Sequence, residues 1–173
     1  MDAAKRRQNI LELLKESTQP VSAGAIAARF QVSRQVIVGD IALLRAANVD
    51  ISATPRGYIV MDPNTRPDEM IRTIACRHDK SNLAEELYTI VDNGCGLIDV
   101  IVEHAVYGQL SGQLHIFSRY DADSFLKKLE KDHATPLSDL TGGIHLHTIS
   151  CRSEEAYERV LQELKAKGIL LVK

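Results

Sequence analysis

Two helical patterns separated by a tight turn constrain the fold of the first third of this chain more than any other feature. Ser22 is placed to cap a short helix over residues 23–30, and Ser33 is placed to cap a longer helix over residues 34–47. Residues 31–32 form the turn between the two helices. This arrangement is the helix-turn-helix pattern.

The flanking segments predict a winged helix-turn-helix over residues 1–62. An amphipathic helix over residues 3–16 precedes the motif, and two strands at 49–53 and 57–60 follow it. An unrelated three-helix bundle would seldom begin its third helix with a cap, an arginine and a glutamine. The pattern therefore predicts binding to double-stranded DNA, and a winged helix that docks onto another protein is the alternative.

The third helix is predicted to read bases. With Ile37 facing the core, Gln35 and Val38 face outwards at 100° per residue. Gln35 can form a bidentate pair with adenine, and Val36 or Val38 can contact thymine methyl groups, which predicts an A·T-rich half-site. Contacts to phosphates or the minor groove are expected from Ser33, Arg34, Arg45 and the wing residue Arg56.

Charge and composition agree with this division of the chain. Residues 1–62 carry eight Lys or Arg against six Asp or Glu, a net +2, whereas residues 63–173 carry thirteen against seventeen, a net −4. No apolar run is long enough to span a membrane. The three cysteines form no C-x-x-C pair and suit a reducing cytoplasm. We therefore expect a cytoplasmic protein with phosphate contacts in its front part only.

A second domain is predicted over residues 67–173, after a linker at 61–67 that contains two prolines. Strand and helix patterns alternate along it, which predicts one sheet with helices on one side, a two-layer α+β sandwich. The expected strands are 71–77, 97–104, 112–117, 143–150 and 169–172, and the expected helices are 82–91, 121–131 and 153–167.

Four residues of this second domain are candidate metal ligands. His145 and His147 point the same way if their segment is a strand, and His78 ends the first predicted strand. Glu86 falls on the apolar stripe of the following helix, whereas Glu85 points towards solvent. A carboxylate on an apolar face needs a partner or a metal.

Two other interpretations of this cluster stay open at this point. Glu86 could instead form an ion pair with Arg72 or Arg77. Cys76 shares a strand face with His78, which makes it a further candidate ligand. The sequence favours a buried structural thiol at this position over a metal ligand.

The combined motifs resemble a known family. They are the winged helix together with Cys76-Arg77-His78, the segment 86–94, Val102-Glu103-His104 with Tyr107-Gly108, Ser118-Arg119, and the segment 140–147. This pattern is similar to the niacin-responsive transcriptional repressors, which carry a 3H domain named for its histidines. The resemblance implies an open-faced sheet like that of phosphocarrier proteins. It also implies a homodimeric repressor of NAD salvage or niacin uptake genes, with nicotinic acid as co-repressor and a metal held by residues matching His78, Glu86, His145 and His147.

Three imidazoles and one carboxylate suit a divalent transition metal such as zinc, nickel or iron. We expect nicotinate to bind beside or on this metal. Its carboxylate would be held by Arg119 or His104, and Tyr107 would form a wall of the site. A metal sensor and a metal-dependent enzyme fused to a DNA-binding domain are the alternatives. Only Glu103 or Asp99 stands out as a general base, so a non-enzymatic regulator is expected.

Overall fold

The computed structural model describes residues 1–60 and 68–172. The chain forms two compact units, Met1–Thr65 and Arg66–Lys173, and each is described by itself. The predicted linker at 61–67 lies outside the described residues, so the predicted domain limits 1–62 and 67–173 remain predictions. Within the described residues, every helix is too short or too polar to cross a lipid bilayer.

The described part of the first unit, residues 1–60, consists of three helices followed by a β-hairpin, in the order predicted. The elements are α1 (Ala3–Glu16), α2 (Ala23–Phe30), α3 (Arg34–Ala46), β1 (Ile51–Thr54) and β2 (Gly57–Val60).

Both predicted serine caps are present. The Ser22 hydroxyl accepts a hydrogen bond from the Ala25 amide at 3.1 Å, and the Ser33 hydroxyl accepts one from the Val36 amide at 3.3 Å. Between the helices Gln31 adopts a left-handed backbone conformation, with φ 54°. Gln31 ends α2 and Ser33 begins α3 only two residues later, so these local features set the angle between the two helices.

The apolar faces of the three helices meet in one core. It contains Ile10, Leu14, Ile26, Ile37 and Ile41, all at most 1% exposed. The first wing strand was predicted to begin at residue 49, but it begins at Ile51. The prediction was wrong because the Val49 amide donates a hydrogen bond to the Leu44 carbonyl of α3, so residue 49 still belongs to the turn that ends this helix.

Over residues 68–172, the second unit has four strands and three helices, and two short 3₁₀ turns lie at Lys80–Asn82 and Leu137–Thr141. Its elements are β3 (Met70–Arg77), α4 (Leu83–Asp92), β4 (Cys95–His104), β5 (Gly108–Ile116), α5 (Arg119–Lys131), β6 (Ile144–Cys151) and α6 (Glu154–Ala166).

The four strands form one antiparallel sheet in the order β3-β6-β4-β5. The helices pack against one face of this sheet, where alternate residues of β6, including Ile149 and Cys151, are fully buried. On the other face Ile71 and Ile144 are exposed. The predicted two-layer α+β arrangement is confirmed.

Several element limits differ from the predictions for local reasons. β5 begins at Gly108 rather than residue 112, because a tight turn with φ 72° at Gly108 starts the strand at once. α5 begins at Arg119 rather than residue 121, because Ser118 caps it. The expected strand at 169–172 is wrong: the segment makes one isolated bridge, between Leu170 and Cys76.

Candidate metal centre and nucleic-acid interface

Glu86 is completely buried on the inner face of α4, between the core residues Leu83 and Ile90 in the helical stripe. Its neighbour Glu85 points outwards, as predicted, and its carboxylate lies 2.7 Å from Lys167 Nζ. Helical periodicity alone accounts for this difference, because successive residues are rotated by about 100°.

The carboxylate of Glu86 lies among three imidazoles that come from two other segments. Its Oε2 is 2.6 Å from His78 Nε2, at the end of β3. Its Oε1 is 2.9 Å from His145 Nε2 and 3.3 Å from His147 Nε2, both on β6. The structure thus brings together all four residues that the sequence singled out as candidate metal ligands.

The outer nitrogen of each imidazole is held by a backbone carbonyl. A carbonyl oxygen only accepts hydrogen bonds, so each Nδ1 carries a proton and donates a hydrogen bond to it. The other ring nitrogen, Nε2, then faces Glu86. The acceptors for His78, His145 and His147 are the carbonyls of Asp79, Gly143 and Asp99, at 2.7, 2.8 and 2.7 Å. Such backbone contacts are typical of histidines oriented for metal binding.

This arrangement concentrates lone pairs at the inner ends of the rings. In the neutral tautomer each Nε2 is an acceptor, and the Glu86 oxygens are acceptors too. His147 Nε2 is buried and lacks a hydrogen-bond partner within the described residues. The cluster therefore needs added positive charge, either as protons on the rings or as a cation among them.

The Glu86 carboxylate and the surrounding imidazoles shift one another's pKa values. Burial alone would raise the pKa of Glu86, but the surrounding imidazoles outweigh it and hold that pKa well below its ordinary value. Burial would lower the pKa of His78 and of His147, but the Glu86 carboxylate outweighs it and raises both. Glu86 is therefore an ionised carboxylate at neutral pH.

Cys76 also lies beside the cluster. Its thiol, the Glu86 carboxylate and a ring nitrogen of His145 all lie within 4.8 Å of one another. Burial and the nearby Glu86 raise the pKa of Cys76, so its thiol is neutral in the absence of a cation. Cys76, the further candidate ligand from the sequence, is thus close enough to contact a metal held by Glu86 and His145.

The alternative ion pairs for Glu86 do not form. Arg72 instead pairs with Glu154 at 3.2 Å, at the surface. Arg77 is exposed, and its backbone amide donates to the carbonyl of Ile169.

The three residues predicted to hold nicotinate do not converge within one chain. His104 and Tyr107 lie together at the β4–β5 turn, with ring centroids 5.1 Å apart. Arg119 follows the far end of β5, a strand of nine residues, which places it roughly 27 Å away. Arg119 is also engaged by Asp92, at 2.7 and 2.8 Å, and by the ring of Tyr88.

The predicted DNA-contacting residues lie mostly on one exposed surface. Ser33, Arg34 and Gln35 are exposed at the start of α3, and Val36 and Val38 are 37% and 44% exposed. This surface is the part of α3 that a major groove could receive.

The two remaining predicted contacts have partners within the first unit. Arg45 donates its Nε to the Ile51 carbonyl at 2.8 Å, and Arg56 donates to Gln19 at 3.3 Å. Arg45 therefore also fastens α3 to the wing.

Sequence reasoning missed the role of Asp40. This carboxylate is buried on α3 and lies 2.6 Å from Arg6 of α1, and Arg7 is 3.6 Å away. The signal was available, because Asp40 falls three residues after Ile37 on the buried stripe, the same argument that identified Glu86.

The fold and these sites define a class: a helix-turn-helix protein with a separate α+β domain that contains a buried histidine–carboxylate cluster. Comparison with known families agrees, since residues 6–59 match a helix-turn-helix domain and residues 71–173 match the 3H domain.

Full-length relatives identify the family. The chain is 43% identical over 169 residues to the transcription repressor NadR of Bacillus subtilis, which covers 97% of this chain and 94% of that protein. It is 41% identical over 167 residues to the probable transcription repressor NiaR of Thermotoga maritima, which covers 96% of this chain and 94% of that protein. The chain belongs to the NadR/NiaR family of 3H-domain transcription repressors.

Proposed function

We propose that this protein represses genes of NAD salvage or niacin uptake, with nicotinic acid as its co-repressor. In this proposal it acts in the cytoplasm as a homodimer on double-stranded DNA and holds one divalent transition metal in its 3H domain. The helix-turn-helix and the names of the two relatives support the regulatory part. The resemblance described above supports the choice of ligand.

The metal is supported by one observation above all, the orientation of three Nε2 atoms around a buried carboxylate. A bound zinc, nickel or ferrous ion would supply the positive charge that this cluster needs. His78, Glu86, His145 and His147 would hold it, and the backbone carbonyls would keep the rings in place.

The burial of the cluster favours a metal that stabilises the domain. Its four side chains are between 0% and 3% exposed, which leaves little access for a reacting substrate. Three segments meet there, the end of β3, helix α4 and strand β6, so one ion would tie them together. A metal that carries the signal itself is the second candidate, because removing it would loosen the same three segments.

On DNA, the exposed start of α3 would enter the major groove, with Gln35 reading adenine and the two valines contacting thymine methyl groups. A homodimer would place two such helices on half-sites about one helical turn apart. Nicotinic acid would act by favouring the dimer conformation that matches this spacing.

The proposal is tested by fluorescence anisotropy on duplexes selected from a randomised pool by the metal-loaded protein. We expect nicotinic acid to tighten binding at least tenfold, with nicotinamide as the control ligand. Binding that depends on the metal and ignores nicotinic acid would instead identify a metal sensor. Binding that does not distinguish selected from scrambled duplexes would overturn the repressor proposal.

A further inference from the structure

Strand β4 contains a β-bulge at the level of the candidate metal centre. In its pairing with β6, Leu97 lies opposite Ile149 and Asp99 lies opposite Thr148, so Ile98 is an extra residue on β4. A bulge bends its strand and locally disrupts the ladder of backbone hydrogen bonds. The residue that follows the bulge, Asp99, contacts β6 in two ways.

The backbone and the side chain of Asp99 each accept a hydrogen bond from β6. The backbone carbonyl accepts one from His147 Nδ1 at 2.7 Å. The carboxylate oxygen Oδ1 accepts one from the Thr148 amide at 3.0 Å. In a regular antiparallel pair such an amide donates to a backbone carbonyl of the opposite strand, but here a side chain accepts the bond. The carboxylate therefore fastens β4 to β6 beside the carbonyl that contacts the imidazole.

The strand on the other side of β4 is irregular at the same level. Between the pairs Leu97–Ile116 and Asp99–Gln113, β5 has two residues where β4 has one. One of these two, His115, adopts a left-handed backbone conformation with φ 55°, which is uncommon for a residue other than glycine. The regular ladder is therefore interrupted on both sides of β4, so the carboxylate contact to β6 bears more strongly on where Asp99 lies.

The imidazole of His147 is held at one edge and directed into the cluster at the other. Its Nδ1 donates to the Asp99 carbonyl, and its Nε2 lies 3.3 Å from Glu86 Oε1. This Nε2 is buried and has no hydrogen-bond partner within residues 1–60 and 68–172. A buried acceptor that faces an ionised carboxylate is a position for a cation. The Asp99 carbonyl thus orients the ring nitrogen that a metal ion would use.

We propose that Asp99 is a positioning residue for the candidate metal centre. Its carboxylate fixes the bulge against β6, the bulge aims the Asp99 carbonyl at His147 Nδ1, and this contact keeps Nε2 directed at the ion. Outer partners of this kind set the tautomer and the orientation of a ligating histidine. The sequence suggested Asp99 as a general base, whereas this role needs no proton transfer by its carboxylate. The inference rests on the proposed function, because it assumes that the cluster binds a metal.

The test is competition for zinc against a chromophoric chelator, with the full-length protein and four variants. Asp99→Ala removes the carboxylate, Asp99→Asn keeps an oxygen for the Thr148 amide, and Asp99→Glu keeps the charge but displaces the oxygens by one methylene. Asp121→Ala is the matched control, since Asp121 also accepts a backbone hydrogen bond, from the Phe117 amide at 3.0 Å. We expect zinc affinity to fall by roughly tenfold or more for Asp99→Ala and Asp99→Glu, and by less than about threefold for Asp99→Asn and Asp121→Ala.

A second measurement needs no metal. Nitrogen-15 NMR of the metal-free protein distinguishes a proton on Nδ1 of His147 from a proton on Nε2, at a pH high enough to leave the ring neutral. We expect the Nδ1–H tautomer in the wild-type protein, Asp99→Asn and Asp121→Ala, and a mixture of both tautomers in Asp99→Ala and Asp99→Glu. A general loss of stability would not change the tautomer in the folded protein.

The outcomes separate this inference from the proposed function. Wild-type zinc affinity and an unchanged tautomer in Asp99→Ala and Asp99→Glu would overturn the inference. Equal losses of affinity in Asp99→Asn and Asp99→Ala would show that charge matters and the hydrogen bond does not, which also overturns it. An equal loss in Asp121→Ala would assign the effect to general destabilisation. A wild-type protein that binds no zinc, nickel or ferrous ion would overturn the proposed metal, whereas the tautomer of His147 would still decide whether Asp99 orients the ring.

Discussion

His78 Nε2 and Glu86 Oε2 lie 2.6 Å apart in the interior of the second unit. The contact is local in sequence, because the 3₁₀ turn Lys80–Asn82 reverses the chain between the end of β3 and the start of α4. Asp79 stabilises that turn by accepting a hydrogen bond from the Ser81 amide at 2.8 Å. The end of β3, the 3₁₀ turn and the start of α4 thus supply His78 and Glu86 to the candidate metal centre. Strand β6 supplies the other two ligands, His145 and His147.

Removing a single ligand should remove the metal. We expect Glu86→Gln and His147→Ala to weaken metal binding by more than the roughly 10–100-fold typical of losing an outer-shell partner. Metal analysis of the purified proteins, followed by competition with a chromophoric chelator, measures the effect.

The cysteine beside the cluster provides the matched comparison for these ligand variants. Cys76→Ala should retain the metal, since the three histidines and Glu86 suffice as ligands in the proposal. A Cys76→Ala protein that loses the metal as completely as His147→Ala would show that the thiol is itself a ligand.

Metal affinity should fall as the pH is lowered. The carboxylate of Glu86 raises the pKa of His78 and His147 in the metal-free protein, so protons compete with the metal for these rings. We expect the apparent dissociation constant for zinc to increase steadily from about pH 8 to about pH 6, the range in which histidine titrates. Titrations at fixed ionic strength check this, and an affinity constant across that range would contradict it.

Gln35→Ala should relax base preference without abolishing DNA binding. Loss of a bidentate contact to adenine costs about 1–3 kcal/mol of discrimination at that position and little elsewhere. Anisotropy titrations on a selected duplex and on single-base variants of it measure the effect.

Arg34→Ala is the control for the base-reading variant, because a phosphate contact carries no sequence information. It should weaken binding similarly on all duplexes. It should also reduce the slope of log binding constant against log salt concentration by about 1. An equal loss on every duplex for Gln35→Ala would remove its assignment as a base-reading residue.

The three thiols should be unreactive in the native protein. Burial raises the pKa of Cys95 and Cys151, and burial together with Glu86 raises that of Cys76, so little thiolate exists near neutral pH. We expect a thiol reagent such as dithionitrobenzoate to react slowly with the folded protein at about pH 8, and with three equivalents in denaturant. Rapid labelling of one equivalent in the folded state would show that one of these cysteines is accessible.

Local patterns in the sequence were sufficient to predict the six helices within a few residues, the caps Ser22 and Ser33, and the inward position of Glu86. The serine caps and the helical stripe depend on contacts within three or four residues, and such contacts do not require knowledge of the rest of the chain. The same argument applied to the stripe of α3 would have placed Asp40 in the first core, but its partner Arg6 lies thirty-four residues away. No local signal identified Arg6 as that partner.

The sequence by itself determined that Glu86 turns inwards and that His145 and His147 point the same way, because side-chain direction follows the period of the helix or strand. Only the tertiary structure decided which of them meet. The strand order β3-β6-β4-β5 pairs His145 with Cys76 and brings β6 beside the end of β3, whereas the length of β5 separates His104 from Arg119. Strand order is set by the burial of the whole apolar face, a property of the complete sheet that no short segment carries.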